Sequence, residues 1–182
     1  MDSHAFLHRL VFVSAILLAA KIATFGHSTV HPVGLTISKA GVQPGYVIFG
    51  APDGHAYVID VKGNVAEKWS APEPGSELQY ARPLANGNLL AQVRSAKSVV
   101  GAAGADSVIE ITQDDRIVWK YTDNTRFLHH DMERRSNGNT LLVCSKDLDA
   151  PQISRKRITD DCLIEVDPTG KIVWEWQTAD HI

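Results

Sequence analysis

Cysteine is scarce in this 182-residue sequence, which has two. Its two cysteines cannot supply the set of thiolates that a structural zinc site needs. It has no glycine-rich loop that would cradle a phosphate and no nucleophile elbow. Basic and acidic residues number 18 and 21, giving a net charge of −3, so nothing favours nucleic acid as a partner. We therefore expect no metal ion and no cofactor.

Long hydrophobic runs are also missing, and the one substantial run lies at the amino terminus. Residues 10–20 are largely apolar, follow Arg9 and are interrupted by Lys21. About eleven residues suit the core of a signal peptide and are too few for an ordinary membrane span. Residues 1–26 are therefore predicted to be a signal peptide, with an uncleaved anchor or a buried helix as alternatives. A signal implies a periplasmic or secreted protein, and an anchor would give the chain its only membrane contact.

Helical periodicity is absent after residue 30, and a sequence repeat takes its place. The sequence Asn-Gly-Asn occurs at 86–88 and again at 137–139. Trp69, Trp119 and Trp174 recur at steps of 50 and 55 residues, each nine or ten residues after an Ile-Asp or Ile-Glu pair. A repeat of this length built from short strands is typical of β-propeller blades. We expect residues 31–182 to form one all-β domain, a partial β-propeller.

Each complete repeat contains four strand-like runs joined by turn residues. Asn137-Gly138 suits a tight hairpin because both residues tolerate positive φ. The sequence predicts two blades of four antiparallel strands and one that lacks its first strand, about two and two-thirds blades in an incomplete ring. The predicted strands are 46–49, 56–61, 65–69, 78–84, 89–93, 108–112, 117–121, 127–134, 140–145, 162–166 and 172–177.

The two cysteines occupy positions that flank the loop between the second and third strands of a blade. Cys144 and Cys162 would then face each other across an antiparallel hairpin, within reach of a disulfide. Export favours the disulfide, whereas a reducing compartment favours two free buried thiols. The intervening residues 146–161 are predicted to be an exposed loop, or alternatively a lid that steers anions through the basic cluster 155–157.

The strongest candidate for a chemical site is His129-His130-Asp131, at the start of a predicted first strand. In propellers the first strand lies nearest the central channel, where ligands bind. A histidine there can act as a general base, a nucleophile or a metal ligand, while closure of a turn by side-chain hydrogen bonds is the alternative. His181 follows His130 by 51 residues, which is one repeat step.

The same region of the preceding repeat offers other polar groups. Tyr80 supplies a phenol and Arg82 a guanidinium there. Together with the histidines these groups suit an oxyanion such as sulfate or phosphate. The recurring tryptophans are predicted to pack between blades, and the recurring acidic residues to accept hydrogen bonds near the turns.

The ordered set of motifs resembles the bacterial arylsulfotransferases of the propeller type. The opening of that family is matched by His-Pro-Val-Gly-Leu-Thr-Ile at 31–37 and Pro-Gly-Tyr-Val-Ile-Phe at 44–49. An Ile-Asp pair and Trp69 follow as in the family. The family pattern continues with His-His-Asp and Asn-Gly-Asn over 129–139, then Trp-Glu-Trp and Asp-His over 174–181. The resemblance covers about residues 31–182.

The resemblance implies an exported enzyme that moves a sulfuryl group from a phenolic sulfate ester to a phenol. A channel histidine would carry the group transiently, which is a form of nucleophilic catalysis. His130 is the best match to a channel histidine and His181 the second, and the resemblance leaves open which is the nucleophile. The expected substrate-binding residues are His129, Asp131, Tyr80 and Arg82.

The family ring implied by the resemblance has about six blades, and this sequence supplies fewer than three. An open arc would expose strand edges and apolar faces. We therefore expect a truncated product with little or no transfer activity of its own. Self-association through the open blade edges is the alternative that would complete a ring.

Two other functional classes are compatible with a propeller. A non-catalytic binding module for carbohydrate or protein is the main alternative, although such a module has no need of histidines that recur at one repeat step. A quinone-dependent propeller dehydrogenase is less compatible, because only Asp167-Pro168-Thr169-Gly170 approaches its regular docking repeat.

Overall fold

The computed structural model describes residue 37 and residues 39–97 and 104–182. The predicted signal segment, the family opening at 31–36 and residues 98–103 lie outside the described residues. The described part contains eleven strands and one 3-10 turn, and none of its helices is long and apolar enough to cross a membrane. The elements are β1 Tyr46–Ala51, β2 His55–Asp60, β3 Val65–Ser70, β4 Glu77–Pro83, β5 Leu89–Arg94, β6 Ser107–Ile111, β7 Ile117–Thr122, β8 Phe127–Arg134, β9 Thr140–Leu148, β10 Ile158–Val166, β11 Ile172–Gln177 and the turn Thr178–Asp180.

The strands form three antiparallel sheets in which each strand pairs with its neighbour in sequence. The first sheet contains β1 to β3, the second β4 to β7 and the third β8 to β11. Gly87 and Gly138 have φ near +85°, as the predicted Asn-Gly turns require. The all-β class is confirmed, with one sheet of three strands and two of four.

The connection between β9 and β10 differs from the prediction. The two strands continue to Leu148 and restart at Ile158, so the predicted loop 146–161 is reduced to residues 149–157. Thr159 donates its hydroxyl to the Asp147 carboxylate at 2.6 Å, and Lys146 pairs with Glu175 at 3.2 Å. The Thr159–Asp147 pair joins the two strands of the hairpin, and Lys146 connects it to β11, so strands form where the composition alone predicts a surface loop.

Strand register also corrects the equivalence of the tryptophans. Trp69 pairs with Ala56 and Trp176 pairs with Leu163, while in the second sheet Tyr121 takes the same position, opposite Val108. The sequence repeat aligns Trp69 with Trp119 and Trp174, which lie two positions before its structural counterparts Tyr121 and Trp176. Residues two positions apart lie on the same face of a strand, so the repeat still predicts the correct face for these side chains.

Hydrophobic side chains fill both junctions between the sheets. In β5, Leu89, Ala91 and Val93 face the first sheet while Leu90 faces the third. The second sheet is consequently buried on both faces. The first junction contains Ala56, Trp69, Leu78, Ile109 and Ile111, and the second contains Val108, Tyr121, Leu128, Met132, Leu142, Cys144, Cys162, Ile164 and Val166.

The edge strand β4 contacts both β1 and β8, which brings the beginnings of the sheets together. A Cβ atom at Gly50 would collide with the carbonyl oxygens of Leu78 and Gln79. Glycine at this position therefore permits the close approach of β1 to β4. A two-way bridge between Ala105 and Leu128, with N–O distances of 2.7 and 3.1 Å, ties the β5–β6 connection to β8.

Cys144 and Cys162 are direct cross-strand partners in β9 and β10. Both are buried free thiols, and the Cys144 thiol donates to the Cys162 carbonyl oxygen at 3.3 Å. Pairing with Cys162 and burial raise the pKa of the Cys144 thiol, so it is protonated at neutral pH. Directly opposed residues have Cα atoms about 4.5 to 5.5 Å apart, which lies within disulfide range. The disulfide stays a prediction.

A buried aspartate organises the connection between the second and third sheets. Asp123 is 6% exposed and accepts hydrogen bonds from the Tyr121 hydroxyl at 2.7 Å and the Thr125 amide at 2.8 Å. The Arg126 amide and guanidinium also donate to it, and Arg126 continues to Glu175 at 2.8 Å. Burial by itself raises the pKa of Asp123, but these donors outweigh it and the pKa lies below its usual value.

Replacing Asp123 by Asn is expected to lower the free energy of unfolding by about 1 to 3 kcal/mol, because buried donors lose a charged acceptor. Urea denaturation at neutral pH measures this loss. The native pKa is depressed, so the carboxylate stabilises above the unfolded-state pKa of about 4 and its contribution disappears as pH falls through the native pKa. Asp114→Asn is the control, since its ion pair with Arg116 is mostly exposed. Equal losses in both variants would contradict the prediction.

Protein exported into an oxidising compartment is expected to contain the Cys144–Cys162 disulfide. Without a reductant, alkylation of the denatured protein should then modify no cysteine. After reduction it should add two alkyl groups, and intact mass measures both results. Cys144→Ser provides the reference with one reactive thiol. Two alkyl groups on exported, unreduced wild-type protein would show that the pair remains reduced.

Candidate functional site

Four of the six candidate residues lie in two β-bulges at equivalent places in β4 and β8, and Arg82 follows the β4 bulge, where it pairs with Leu90. Between the pairs Leu78–Val93 and Ala81–Ala91, the two residues Gln79 and Tyr80 lie opposite a single residue of β5. In β8 the corresponding bulge contains His129, His130 and Asp131. A bulge leaves its residues out of the ladder and turns their side chains to new directions. The repeated bulges therefore bring the polar residues of two sheets to one place.

The backbone at the centre of the β8 bulge is unusual. His130 has a φ of 59°, in the left-handed region that residues other than glycine rarely occupy. Such conformations persist when surrounding structure holds them and are concentrated at functional sites. The three-residue bulge provides that constraint between the regular pairs Leu128–Cys144 and Met132–Leu142.

We call Tyr80, Arg82, His129, His130 and Asp131 the bulge cluster. The Tyr80 hydroxyl lies 3.4 Å from His130 Nδ1, across the junction between the second and third sheets. The two imidazole rings of His129 and His130 meet edge to face, with centroids 4.8 Å apart and planes at 88°. The structure thus brings together five of the six site residues that the sequence predicts.

Arg82 and Asp131 form a two-point ion pair between β4 and β8. Arg82 Nε and Nη2 donate to Asp131 Oδ1 at 3.0 and 2.8 Å, and Nη2 also donates to Oδ2 at 2.9 Å. Partial burial raises the pKa of Asp131, but the Met132 amide and Arg82 outweigh it and hold the pKa below its usual value. Since the carboxylate already occupies the guanidinium fork, Asp131 positions Arg82 and offsets its charge.

His129 contacts a residue that the sequence interpretation missed. Its Nε2 lies 3.5 Å from the Asp161 carboxylate, while its side chain is 14% exposed. Among the described residues, the buried His129 Nδ1 has no hydrogen-bond partner, and neither has the side-chain amide of the fully buried Gln92. Gln92 lies in β5 opposite the Tyr80 bulge. The only sequence signal for Gln92 was its position as a polar residue inside the otherwise apolar run of β5.

His181 lies outside the bulge cluster. Its ring stacks on Trp176 of β11, with centroids 4.9 Å apart and planes at 11°. Strand β11 forms the edge of the third sheet opposite to β8. The two histidines that one repeat step relates are therefore not in direct contact, and the position of both beside one channel stays a prediction.

The chemistry of the bulge cluster favours an anion over a metal ion. Two imidazoles, a phenol and a guanidinium are donors for an oxyanion. Within residues 39–97 and 104–182, no three His, Cys, Asp or Glu side chains converge as a metal site requires. Tyr80 is 41% exposed, and the Arg82 and Asp131 side chains are 51% and 59% exposed, so a ligand can reach the cluster from solvent.

No curated protein matches the sequence significantly. Among solved structures, the chain is similar to a protein of unknown function from Bacteroides caccae, with 16% identity and a TM-score of 0.36. The match covers 75% of this chain and 58% of that one, so this chain spans little more than half of that protein's length. The family model of arylsulfotransferases (ASST) matches residues 53–182, most of the sequence, and the chain belongs to that family.

Proposed function

We propose that this protein transfers a sulfuryl group from a phenolic sulfate ester to a phenol through a histidine that carries the group transiently. The observation that carries the proposal is His130, held by a bulge beside Tyr80, His129 and Arg82 in a chain of the arylsulfotransferase family. A small anionic ester is the class of ligand that these donors recognise.

In this mechanism His130 attacks the ester sulfur and the phenolate leaves. With Nδ1 facing the Tyr80 hydroxyl, Nε2 is the nitrogen that forms the bond to sulfur. As the sulfur–oxygen bond breaks, the phenolate takes a proton from solvent water, which reaches the open cluster. An acceptor phenol then gives its proton to solvent and attacks the same sulfur, and the nitrogen–sulfur bond breaks to restore the neutral imidazole.

The other members of the bulge cluster stabilise the charge on the sulfuryl oxygens. Arg82, fixed in place by Asp131, offers its remaining N–H groups, and His129 offers a ring N–H. Preorganised donors act most strongly where charge develops in the transition state. His181 ranks second as a candidate nucleophile, because its ring stacks on Trp176 whereas His130 contacts Tyr80 and His129.

We further propose that the three sheets are blades of a β-propeller with β4 and β8 beside its channel. The contacts of β4 with β1 and β8, and the position of both bulges on these strands, support this arrangement. Export is proposed from residues 1–26 alone.

A chromogenic phenyl sulfate should sulfate the wild-type chain, and replacing His130 by Ala should lower this reaction at least about a hundredfold. We expect even the wild-type reaction to be slow, because the cluster is open to water. The measurements are the burst of released phenol and the site of sulfation, found by peptide mass analysis.

His181→Ala is the matched control, and it should retain the burst. Loss of the burst in that variant alone would assign the nucleophile to His181. Binding of the ester without any sulfated peptide in the wild type would favour the non-catalytic binding module.

Replacing Arg82 by Lys should reduce the burst rate about tenfold or more while the free energy of unfolding changes by less than about 1 kcal/mol. Lysine keeps the charge but loses the fork that binds Asp131 at two points. Exposed ion pairs contribute little to stability. A lower burst rate at unchanged stability would therefore indicate that Arg82 acts in the reaction and does not merely hold the fold. The control is Arg94→Lys, whose guanidinium pairs with Glu77 at 2.7 Å and contacts no member of the cluster. Equal rates in both variants would remove Arg82 from the site.

A further inference from the structure

Gln92 is a polar residue inside an apolar junction, and the proposed transfer assigns it no role. Its side chain is fully buried, and among the described residues neither its amide nitrogen nor its amide oxygen has a hydrogen-bond partner. A buried amide without partners costs free energy, and native structures contain few of them. A role for this amide has to come from the groups in the same junction.

The side chain of Gln92 faces the junction between the second and third sheets. Side chains alternate along a strand, so Gln92 shares a face with Leu90. Directly opposed residues of neighbouring strands also share a face, and Gln92 lies opposite Val108. Leu90, Val108 and Leu128 all belong to the hydrophobic cluster of that junction, and β5 contacts β8 there. His129 directly follows Leu128 and is therefore the nearest polar residue of β8 on this side of the bulge.

His129 contributes a buried ring nitrogen that complements the amide. Its Nδ1 has no hydrogen-bond partner among the described residues, while its Nε2 lies 3.5 Å from the Asp161 carboxylate. An ionised carboxylate only accepts hydrogen bonds, so it favours the tautomer in which Nε2 carries the proton. In that tautomer Nδ1 is an acceptor, and the amide nitrogen of Gln92 is a donor.

We propose that Gln92 is the positioning residue that keeps the proton of His129 on Nε2. Its amide N–H acts on Nδ1 through one water molecule, because neither group has a protein partner within hydrogen-bond distance. Bridging waters of this kind bond to buried polar groups that would otherwise lack partners. The consequence rests on the proposed function, in which Nε2–H is the ring N–H that His129 offers to a sulfuryl oxygen.

The two adjacent imidazoles then have opposite tautomers. His130 needs a lone pair on Nε2 to attack sulfur, so its proton belongs on Nδ1, which lies 3.4 Å from the Tyr80 hydroxyl. His129 needs its proton on Nε2 to act as a donor. Because the hydrogen bond at one ring nitrogen sets the proton on the other, different partners let neighbouring histidines take these two roles.

The test measures the tautomer of each ring in the full chain, without any ester, from two-bond proton–nitrogen spectra of protein labelled with 15N-histidine. At about pH 8.5, about two units above the ordinary histidine pKa, the proton of His129 should be on Nε2. Gln92→Met, which has a similar shape, should lower the ratio of the Nε2–H form to the Nδ1–H form about fivefold, as for the loss of one hydrogen bond. Gln92→Glu supplies an acceptor in place of the donor, so Nδ1 should then carry a proton.

Two controls separate this effect from a general loss of packing. His130 in the same spectra should keep its tautomer in both Gln92 variants. Thr140→Val is the matched control, because Thr140 is fully buried, its hydroxyl has no partner among the described residues, and it pairs with Arg134 at the end of β8. This variant should leave both rings unchanged. His129→Gln identifies the His129 signals by their loss, and circular dichroism verifies that each variant is folded.

A wild type with the proton of His129 on Nδ1 overturns the proposal without any variant. A ratio that is unchanged in Gln92→Met, or a Gln92→Glu variant whose Nδ1 carries no proton, also overturns it, even when the burst of phenol is observed. A missing burst would instead contradict the proposed transfer and would leave the tautomer result valid.

Discussion

The burial of the second sheet on both faces is the constraint on which the rest of the structure depends. Alternate residues of β5 belong to different hydrophobic clusters, so a single strand joins two cores. Side chains alternate between the two faces of a strand. A shift of one residue in the pairing register would therefore move the residues of each core to the opposite face. The register of β5 therefore fixes which residues fill each junction, and β4 meets β8 across the junction between the second and third sheets.

That meeting makes the candidate site. Neither bulge is a site by itself, since Tyr80 and Arg82 belong to the second sheet and the two histidines to the third. The Arg82–Asp131 ion pair and the contact of Tyr80 with His130 both cross the junction. Backbone strain at His130 is tolerated because the regular pairs on either side of the bulge, backed by the buried core, fix the strand.

The polar residues have two roles: some hold segments of the fold in place, and others are available to contact a ligand. Asp123 gathers donors from the connection between β7 and β8, and Arg126 links that connection to β11 through Glu175. Asp131 has a similar bracing role on Arg82, although its residue type and position suggested direct contact with a ligand. The histidines, the Tyr80 hydroxyl and the remaining N–H groups of Arg82 are left to interact with a ligand, and among them His130 is the proposed nucleophile.

The sequence by itself determined the strands, their order and the cluster members in the two first strands. Alternation, Asn-Gly turns and the repeat are local signals, and a single chain reveals them without any tertiary contact. The sequence also predicted that His129, His130 and Asp131 lie in one strand, and they lie in β8, which contributes to the candidate site.

Only the tertiary structure decided how these residues are used. The two-residue offset of Trp69, the strands that replace most of the loop 146–161 and the contact of His129 with Asp161 depend on pairing between distant segments. His130 lies in β8 at one edge of the third sheet, whereas His181 follows the turn after β11, the strand at the other edge, and stacks on Trp176. Repeat spacing records the distance along the chain, whereas contact depends on which edges and faces the sheets bury.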